Sequence, residues 1–216
     1  MQDLKKFKHE LQLIINGKSG SSQNSVIQAA KAHLTNYSKT SSQTKATKPG
    51  RAEEERALTE FTTKNNFWLI DQNLGIYITE GAEQKIFYKN NSDVIYKKAD
   101  AVFYTSWLDY FDNLLLHNHF FPDTSYTLVG FCNTDNRLFA IVQQPFVLST
   151  EPTNLESIKT YLFSNGFINK KNNDYYHPYL GIILEDLHDE NVLTNNGVLF
   201  FIDTVFYITD VFYEQD

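Results

Sequence analysis

One cysteine, one methionine, five prolines and nine glycines in 216 residues leave this chain few of the devices on which small secreted folds depend. With Cys132 as the single thiol, no internal disulfide framework can form, and a reducing compartment such as the cytoplasm is the expected setting. No apolar run approaches the ~20 residues needed to cross a bilayer, so no membrane partner is expected. The N-terminal stretch MQDLKKFKHELQLIING lacks both the apolar core and the small-residue cleavage site of a signal peptide.

Aromatic residues are abundant instead. The 17 Phe and 13 Tyr bring the aromatic share to 15%, a composition suited to β-rich packing. Charge is uneven as well. Residues 1–50 carry eight lysines against two acids, a net of +6, whereas 51–216 carry eleven basic residues against 24 acids, a net of −13. A basic segment ahead of an acidic body suits nucleic acid or an acidic surface. Short lysine-rich helices are more often simply solvated, so the solvated face is preferred here and nucleic acid is kept as the alternative partner.

Periodicity divides the chain into segments. Leu4, Phe7, Leu11 and Ile14 recur at helical spacing, with Asn16-Gly17 as the stop, and Val26, Ile27, Ala30 and Leu34 suggest a second helix. Ser38 to Gly50 is polar and low in complexity, a linker in composition. The main domain is expected from 51 to 216, behind a basic helical extension over 1–50. Glu53 to Thr63 reads as a helix that opens this domain. Leu74–Thr79, Lys85–Tyr88, Asp93–Lys98, Tyr126–Phe131 and Leu138–Val142 are short aromatic or β-branched runs bounded by turn residues, hence strands. A helix ending before Pro122 falls between the third and the fourth, and Asn154 to Gly166 reads as another. Residues 167–179 give no clear period.

The most informative stretch is Glu185-Asp186-Leu187-His188-Asp189-Glu190-Asn191, with Asp203 twelve positions beyond Asn191. Gly181 to Leu184 reads as a buried strand entering this loop. Val192-Leu193 and Val198 to Ile202 read as strands joined by Thr194-Asn195-Asn196-Gly197, and Asn-Gly is a strong hairpin signal because both residues tolerate positive φ. Folding the hairpin back brings Asp203 toward Asn191. The offset from Asp186 to Asn191 is the one by which phosphoryl-transfer enzymes position a hydroxyl and hold magnesium on one loop. Two hard oxygen ligands from separate segments, completed by water and phosphate oxygens, suit Mg²⁺. A solvated acidic loop is the commoner origin of such a cluster; the apolar flanks, the spacing and the third acid favour a site here.

From residue 67 to 213 the chain resembles a protein-kinase fold, most closely the small kinase-like domain of polyvalent proteins from phages and conjugative elements. The resemblance rests on Gly81-Ala82-Glu83, Val94-Ile95-Tyr96-Lys97, Trp107-Leu108-Asp109-Tyr110, Gln143-Gln144-Pro145-Phe146, the loop from Glu185 to Asn191, and Ile202-Asp203. It implies an α+β, two-lobed, protein-kinase-like fold preceded by N-terminal helices. The five-stranded antiparallel N-lobe would span about 67–142, the hinge about 143–150, and a strongly reduced C-lobe about 151–216. It also implies ATP and Mg²⁺ as cofactors. Asp186 would be the base, Asn191 and Asp203 the metal ligands, and Lys97 the contact to the nucleotide phosphates. Gly81, Ala82 and Glu83 would cover the phosphates, and the backbone around Gln143, Gln144 and Phe146 would hold the adenine edge.

Alternation leaves open which of Lys97 and Lys98 turns inward, one of the two being expected to face water; the resemblance selects Lys97. His188 stands where protein kinases usually carry lysine, and Asp-Leu-His-x-x-Asn resembles small-molecule phosphotransferases. His117 and His119, two apart on a helix, should point to different faces, as packing or capping residues. Other departures are Leu184-Glu185 before the base instead of His-Arg, and Thr204-Val205 after Asp203 instead of Phe-Gly. For the partner of Lys97, Asp109, Asp112 and Glu83 are candidates. The resulting expectation is an Mg²⁺-dependent phosphotransferase with a protein acceptor. The alternatives are a kinase-like module that binds nucleotide or protein without turnover, and a small-molecule kinase.

Overall fold

Apolar residues at helical spacing fold as helices in the computed structural model, which describes residues 2–18, 24–41, 50–81 and 83–214. Leu11, Ile14 and Ile15 form the buried stripe of α1 (Gln2–Ile15), and Ile27, Ala30 and Leu34 that of α2 (Ser25–Ser41). The polar stretch expected as a linker from Ser38 is therefore helical over its first four residues, and 42–49 lie outside the described residues. α3 (Arg51–Asn65) begins after Gly50, whose amide donates to the Glu53 carboxylate at 3.3 Å, and closes at Asn66 in the left-handed region, φ 56°. Contacts divide the chain into two compact units, Gly20–Leu114 with Tyr126–Phe146, and Met1–Ser19 with Leu115–Ser125 and Val147–Asp216.

The first unit contains α2, α3 and a five-stranded antiparallel sheet. Its strands are β1 (Ile76–Glu80), β2 (Gln84–Tyr88), β3 (Val94–Ala99), β4 (Thr127–Thr134) and β5 (Arg137–Pro145), in the order β1-β2-β3-β5-β4. Between β3 and β4 runs α4 (Trp107–Phe120), whose residues up to Leu114 belong to this unit. Trp107, fully buried, packs edge-on against Phe131 of β4. The Glu54 carboxylate of α3 caps α4 by accepting the Trp107 amide proton at 2.8 Å. Burial raises the Glu54 carboxyl above the ordinary range, against the pull of the Trp107 and Leu108 amides.

The opposite face of this sheet is covered as well. Leu69 donates its amide to the Phe131 carbonyl at 2.7 Å, and Phe131 returns a bond to Phe67 at 2.9 Å, which lays the chain after α3 along β4. So close an approach needs Gly130, where a Cβ would stand 2.3 Å from the Phe67 carbonyl oxygen. Leu74 then packs with Cys132 and Ile141. This covering corrects the expectation that either Lys97 or Lys98 faces water, for both are buried, at 1% and 5% exposure. Successive side chains still point to opposite faces, but here each face has its own roof.

Lys98 Nζ donates to Asp71 Oδ2 at 2.5 Å and to Thr134 Oγ1 at 2.7 Å, and lies over the Phe139 ring. Burial works against the ionised form of Asp71, but hydrogen bonds from Lys98, Cys132 and Thr134 outweigh it and hold the carboxyl below its ordinary range. The same surroundings, burial first and then Asp71, push the Cys132 thiol up to about 12.

The second unit has a sheet of four short strands. β6 (Ile168–Lys171), β7 (Asp174–His177) and β8 (Ile182–Glu185) follow α5 (Leu155–Ser164). Next comes the hairpin of β9 (Val192–Asn195) and β10 (Val198–Phe201), and β11 (Val205–Ile208) returns beside β8 to complete the order β11-β8-β7-β6. The β6–β7 pair occupies the stretch without a clear period. Asn196 and Gly197 turn the hairpin with φ of 47° and 77°, as a two-residue turn between antiparallel strands requires. α1 docks on the C-terminal 3-10 turn Asp210–Tyr213, with Lys8 Nζ donating to the Val211 carbonyl at 2.8 Å and Gln12 to that of Phe212 at 2.6 Å.

Two measurements test the covered sheet. Gly130→Ala should cost about 1–3 kcal/mol through strain at the close approach, read as a lowered denaturation midpoint. Asp71→Asn leaves Lys98 buried without its counter-charge. Because the Asp71 side chain is 36% exposed, the expected loss at pH 7 is only about 1–2 kcal/mol rather than that of a fully buried pair. A carboxyl whose folded pKa is depressed stabilises the fold above its unfolded pKa, and loses that contribution as pH falls through the folded value. The gap in melting temperature between Asp71→Asn and wild type should therefore close on acidification below about pH 4.

Candidate active site

The strand β8 delivers the chain into a tight loop. The Leu187 amide donates to the Asn173 carbonyl at 3.2 Å and the Asp186 amide to Asp174 Oδ1 at 3.3 Å, so the β6–β7 turn holds the loop's entry. The amides of Asn191 and Val192 both donate to the His188 carbonyl at 3.0 Å, which closes the loop onto β9. Leu187 is buried beneath it, while Asp186 stands outward with φ 63°, a left-handed conformation that aspartate adopts more readily than most residues.

The polar atoms of this loop fix one another's roles. Asn191 Nδ2 lies 2.8 Å from the Asp186 carbonyl oxygen and 2.9 Å from Asp186 Oδ2, both of which can only accept. The amide nitrogen must face them. This orientation turns Oδ1, the acceptor end of the carboxamide, the other way. The Glu190 amide donates to His188 Nδ1 at 3.3 Å, and His188 Nε2 lies 3.4 Å from Asp186 Oδ1 and 3.1 Å from Asn191 Nδ2. Asp186 thus has Asn191 donating to one carboxylate oxygen and the His188 ring beside the other.

Asp203 is joined to the same loop through the backbone. The amides of Ile202 and Asp203 both donate to the Asn191 carbonyl oxygen, at 2.9 and 3.2 Å. Folding of the Asn-Gly hairpin, with Phe201 opposite Val192, produces this juxtaposition. Asp186, His188, Asn191 and Asp203 are therefore brought together. Among the described residues no three His, Cys, Asp or Glu side chains gather into a metal-ligating set. The donors here are one carboxamide and one carboxylate oxygen, hard ligands that suit Mg²⁺ when water and phosphate oxygens fill the remaining positions. Negative charge accumulates beside them: burial, then Asp174 and Asp186, raise the Glu185 carboxyl above its ordinary range.

The other expected site residues lie in the unit built on the five-stranded sheet. Lys97 occupies the middle of β3, between Ile86 and Val142, with its Nζ 3.3 Å from the Tyr126 hydroxyl. Of the acids considered as its partners, Asp112 forms an ion pair with Lys31, and Asp109 accompanies the N-terminus of α4 with its amide on Ser106 Oγ. Gly81 and Glu83 lie in the β1–β2 turn, where the Gly81 amide donates to the Gln84 carbonyl at 3.0 Å. A Cβ at Gly81 would meet nothing, so the turn itself does not demand glycine. Ala82 is outside the described residues. Gln143 and Gln144 are in β5, and the Phe146 amide is committed to the Asp93 carbonyl at 2.8 Å, which removes it as a donor to a base edge.

His117 and His119 do point apart. His119 packs against the Phe7 ring, whereas buried His117 bonds to Thr124 and Thr204. Thr204 stood out in the sequence only as the residue after Asp203, and nothing local marks its bond to His117, 87 residues earlier. Asp174 escaped the sequence reading, lying on a strand whose pattern was not legible.

No described helix is long and apolar enough to cross a membrane. Comparison with curated proteins returns no match. A family model described as a serine/threonine/tyrosine kinase found in polyvalent proteins matches residues 51–210, beginning with the first residue of α3 and ending beyond β11. The match includes the loop from Asp186 to Asn191, Asp203, and Lys97 in β3, and it covers well over half of the chain: this protein belongs to the family of serine/threonine/tyrosine kinases found in polyvalent proteins.

Proposed function

We propose that this kinase-family protein is an Mg²⁺-dependent phosphotransferase that uses ATP and acts on a hydroxyl of a protein acceptor. What supports the reading most is the grip on Asp186, one of whose carboxylate oxygens accepts from Asn191 while the His188 ring lies beside the other, and Asn191 also holds the Asp203 backbone through its carbonyl. The two-lobed kinase architecture, with an N-lobe near 67–142 and a reduced C-lobe near 151–216, is part of the same proposal.

In the transfer, the acceptor oxygen forms a bond to the γ-phosphorus, the bond from that phosphorus to the β,γ-bridging oxygen breaks, and the hydroxyl proton passes to Asp186. Asn191 and the neighbouring His188 ring orient the carboxylate, and its exposed position, 59% accessible, lets an acceptor reach it. Asn191 Oδ1 and the Asp203 carboxylate would hold Mg²⁺, which when bound neutralises charge on the phosphate oxygens. Lys97, already sheltered from water, would add fixed positive charge to the phosphates. The chain contributes position and charge, and little covalent chemistry.

A second reading, a nucleotide-binding module without turnover, draws on the β5 end and the β1–β2 turn. The Phe146 amide is consumed within the sheet and Gly81 serves an ordinary turn. A partner for the N-terminal lysines is less favoured, since Lys8 and Lys31 are both committed to contacts within the chain.

Transfer of labelled γ-phosphate to a panel of protein and small-molecule acceptors, or to the chain itself, separates these readings. Asp186→Ala should lower the rate on the order of 10²–10⁴-fold, the usual worth of a general base, with nucleotide binding kept. Asp203→Asn should raise the Mg²⁺ requirement. Unchanged transfer by both variants would refute the assignment, and nucleotide-induced thermal stabilisation without transfer to any acceptor would favour the second reading.

A further inference from the structure

The backbone on either side of Asp203 is pinned from a part of the chain that precedes it by some eighty residues. Thr124 Oγ1 donates to the Phe201 carbonyl at 2.5 Å. Thr204 Oγ1 lies 2.7 Å from His117 Nδ1, and His117 Nε2 lies 2.9 Å from the Thr124 carbonyl oxygen. A carbonyl can only accept, so Nε2 carries a proton; in the neutral ring Nδ1 then offers its lone pair, and the Thr204 hydroxyl donates to it. One tautomer fixes the direction of both bonds. His117, Thr124 and Thr204 are all buried, at 0%, 1% and 1% exposure. The Phe121 and Phe201 rings stack beside them, with centroids 4.1 Å apart.

Packing alone does not require such a network. An apolar residue at 204 would fill the space, and buried polar groups are costly unless every one of them is bonded. What the network adds is a defined position for the peptide that follows Asp203. Between Phe201 and Thr204, the Asn191 carbonyl holds the amides of Ile202 and Asp203. The four residues are thus held at both ends and in the middle.

We propose that Thr204, oriented by His117, is a positioning residue that sets the Asp203 carboxylate for a divalent cation; this rests on the reading above in which Asp203 binds metal. His117 belongs to the helix α4 and Thr204 directly precedes β11, so the link ties the metal-binding residue to two regular elements rather than to its own loop.

The probe is Mn²⁺, titrated against the full-length protein in the presence of a non-hydrolysable ATP analogue and followed by electron paramagnetic resonance, with melting temperature measured in parallel. Thr204→Val, which keeps the shape and removes the hydroxyl, should weaken Mn²⁺ binding about 10-fold or more, the usual cost of losing a partner that orients a ligand. Thr204→Ser should restore affinity to near the wild-type value. If Thr204→Val does not fold, Thr204→Ala takes its place, with the same expected loss. A structural role alone would lower the melting temperature and leave Mn²⁺ affinity unchanged. That result, or an equal loss in Thr204→Ser, overturns the proposal. Wild-type protein that binds no Mn²⁺ would instead overturn the metal site itself, and the proposal with it.

Discussion

Everything around the candidate site depends on Asn191 using both of its amide groups at once. Its side-chain nitrogen faces two oxygens of Asp186, and its backbone oxygen receives two amides from the strand-end that leads to Asp203. One residue therefore couples a loop and a hairpin that the chain order separates. The side-chain oxygen, turned away from Asp186, is the remaining hard donor. An aspartate at 191 would set a second carboxylate against Asp186, and a leucine would free both segments. Asparagine is the small side chain that donates and accepts in opposite directions.

Electrostatics sharpen the point. Residues 51–216 are strongly acidic, and burial, then Asp174 and Asp186, raise the Glu185 carboxyl above its ordinary range. Such a surface repels a triphosphate. A divalent cation would change that balance. The acidic character and the proposed cation dependence are two aspects of one arrangement.

Much of this was legible in the sequence, and the failures have physical causes. Asn196-Gly197 specified a hairpin because both positions take positive φ, and the hairpin in turn brought Asp203 to Asn191. Those are local rules acting over a dozen residues. The strands of the five-stranded sheet were legible from β-branched and aromatic runs, each within a few residues of its observed ends. The lysine pair on β3 was misread because alternation reports which face a side chain takes, not whether that face is covered; the cover comes from the chain after α3. β6 and β7 fall in a polar, turn-rich stretch in which no apolar alternation marks a strand. The bonds from His117 to Thr124 and Thr204 follow from tertiary placement, and a helix face alone cannot name a partner so far along the chain.

The sealed thiol has a practical consequence. Cys132 sits beneath Asp71 and Leu74 with its proton held to about pH 12, so the reactive thiolate form is essentially unpopulated at neutral pH. The chain is in effect a silent background for maleimide chemistry. A cysteine introduced at an exposed position would be the one fast-reacting site, ready to carry a spin label or a fluorophore without first removing the native residue.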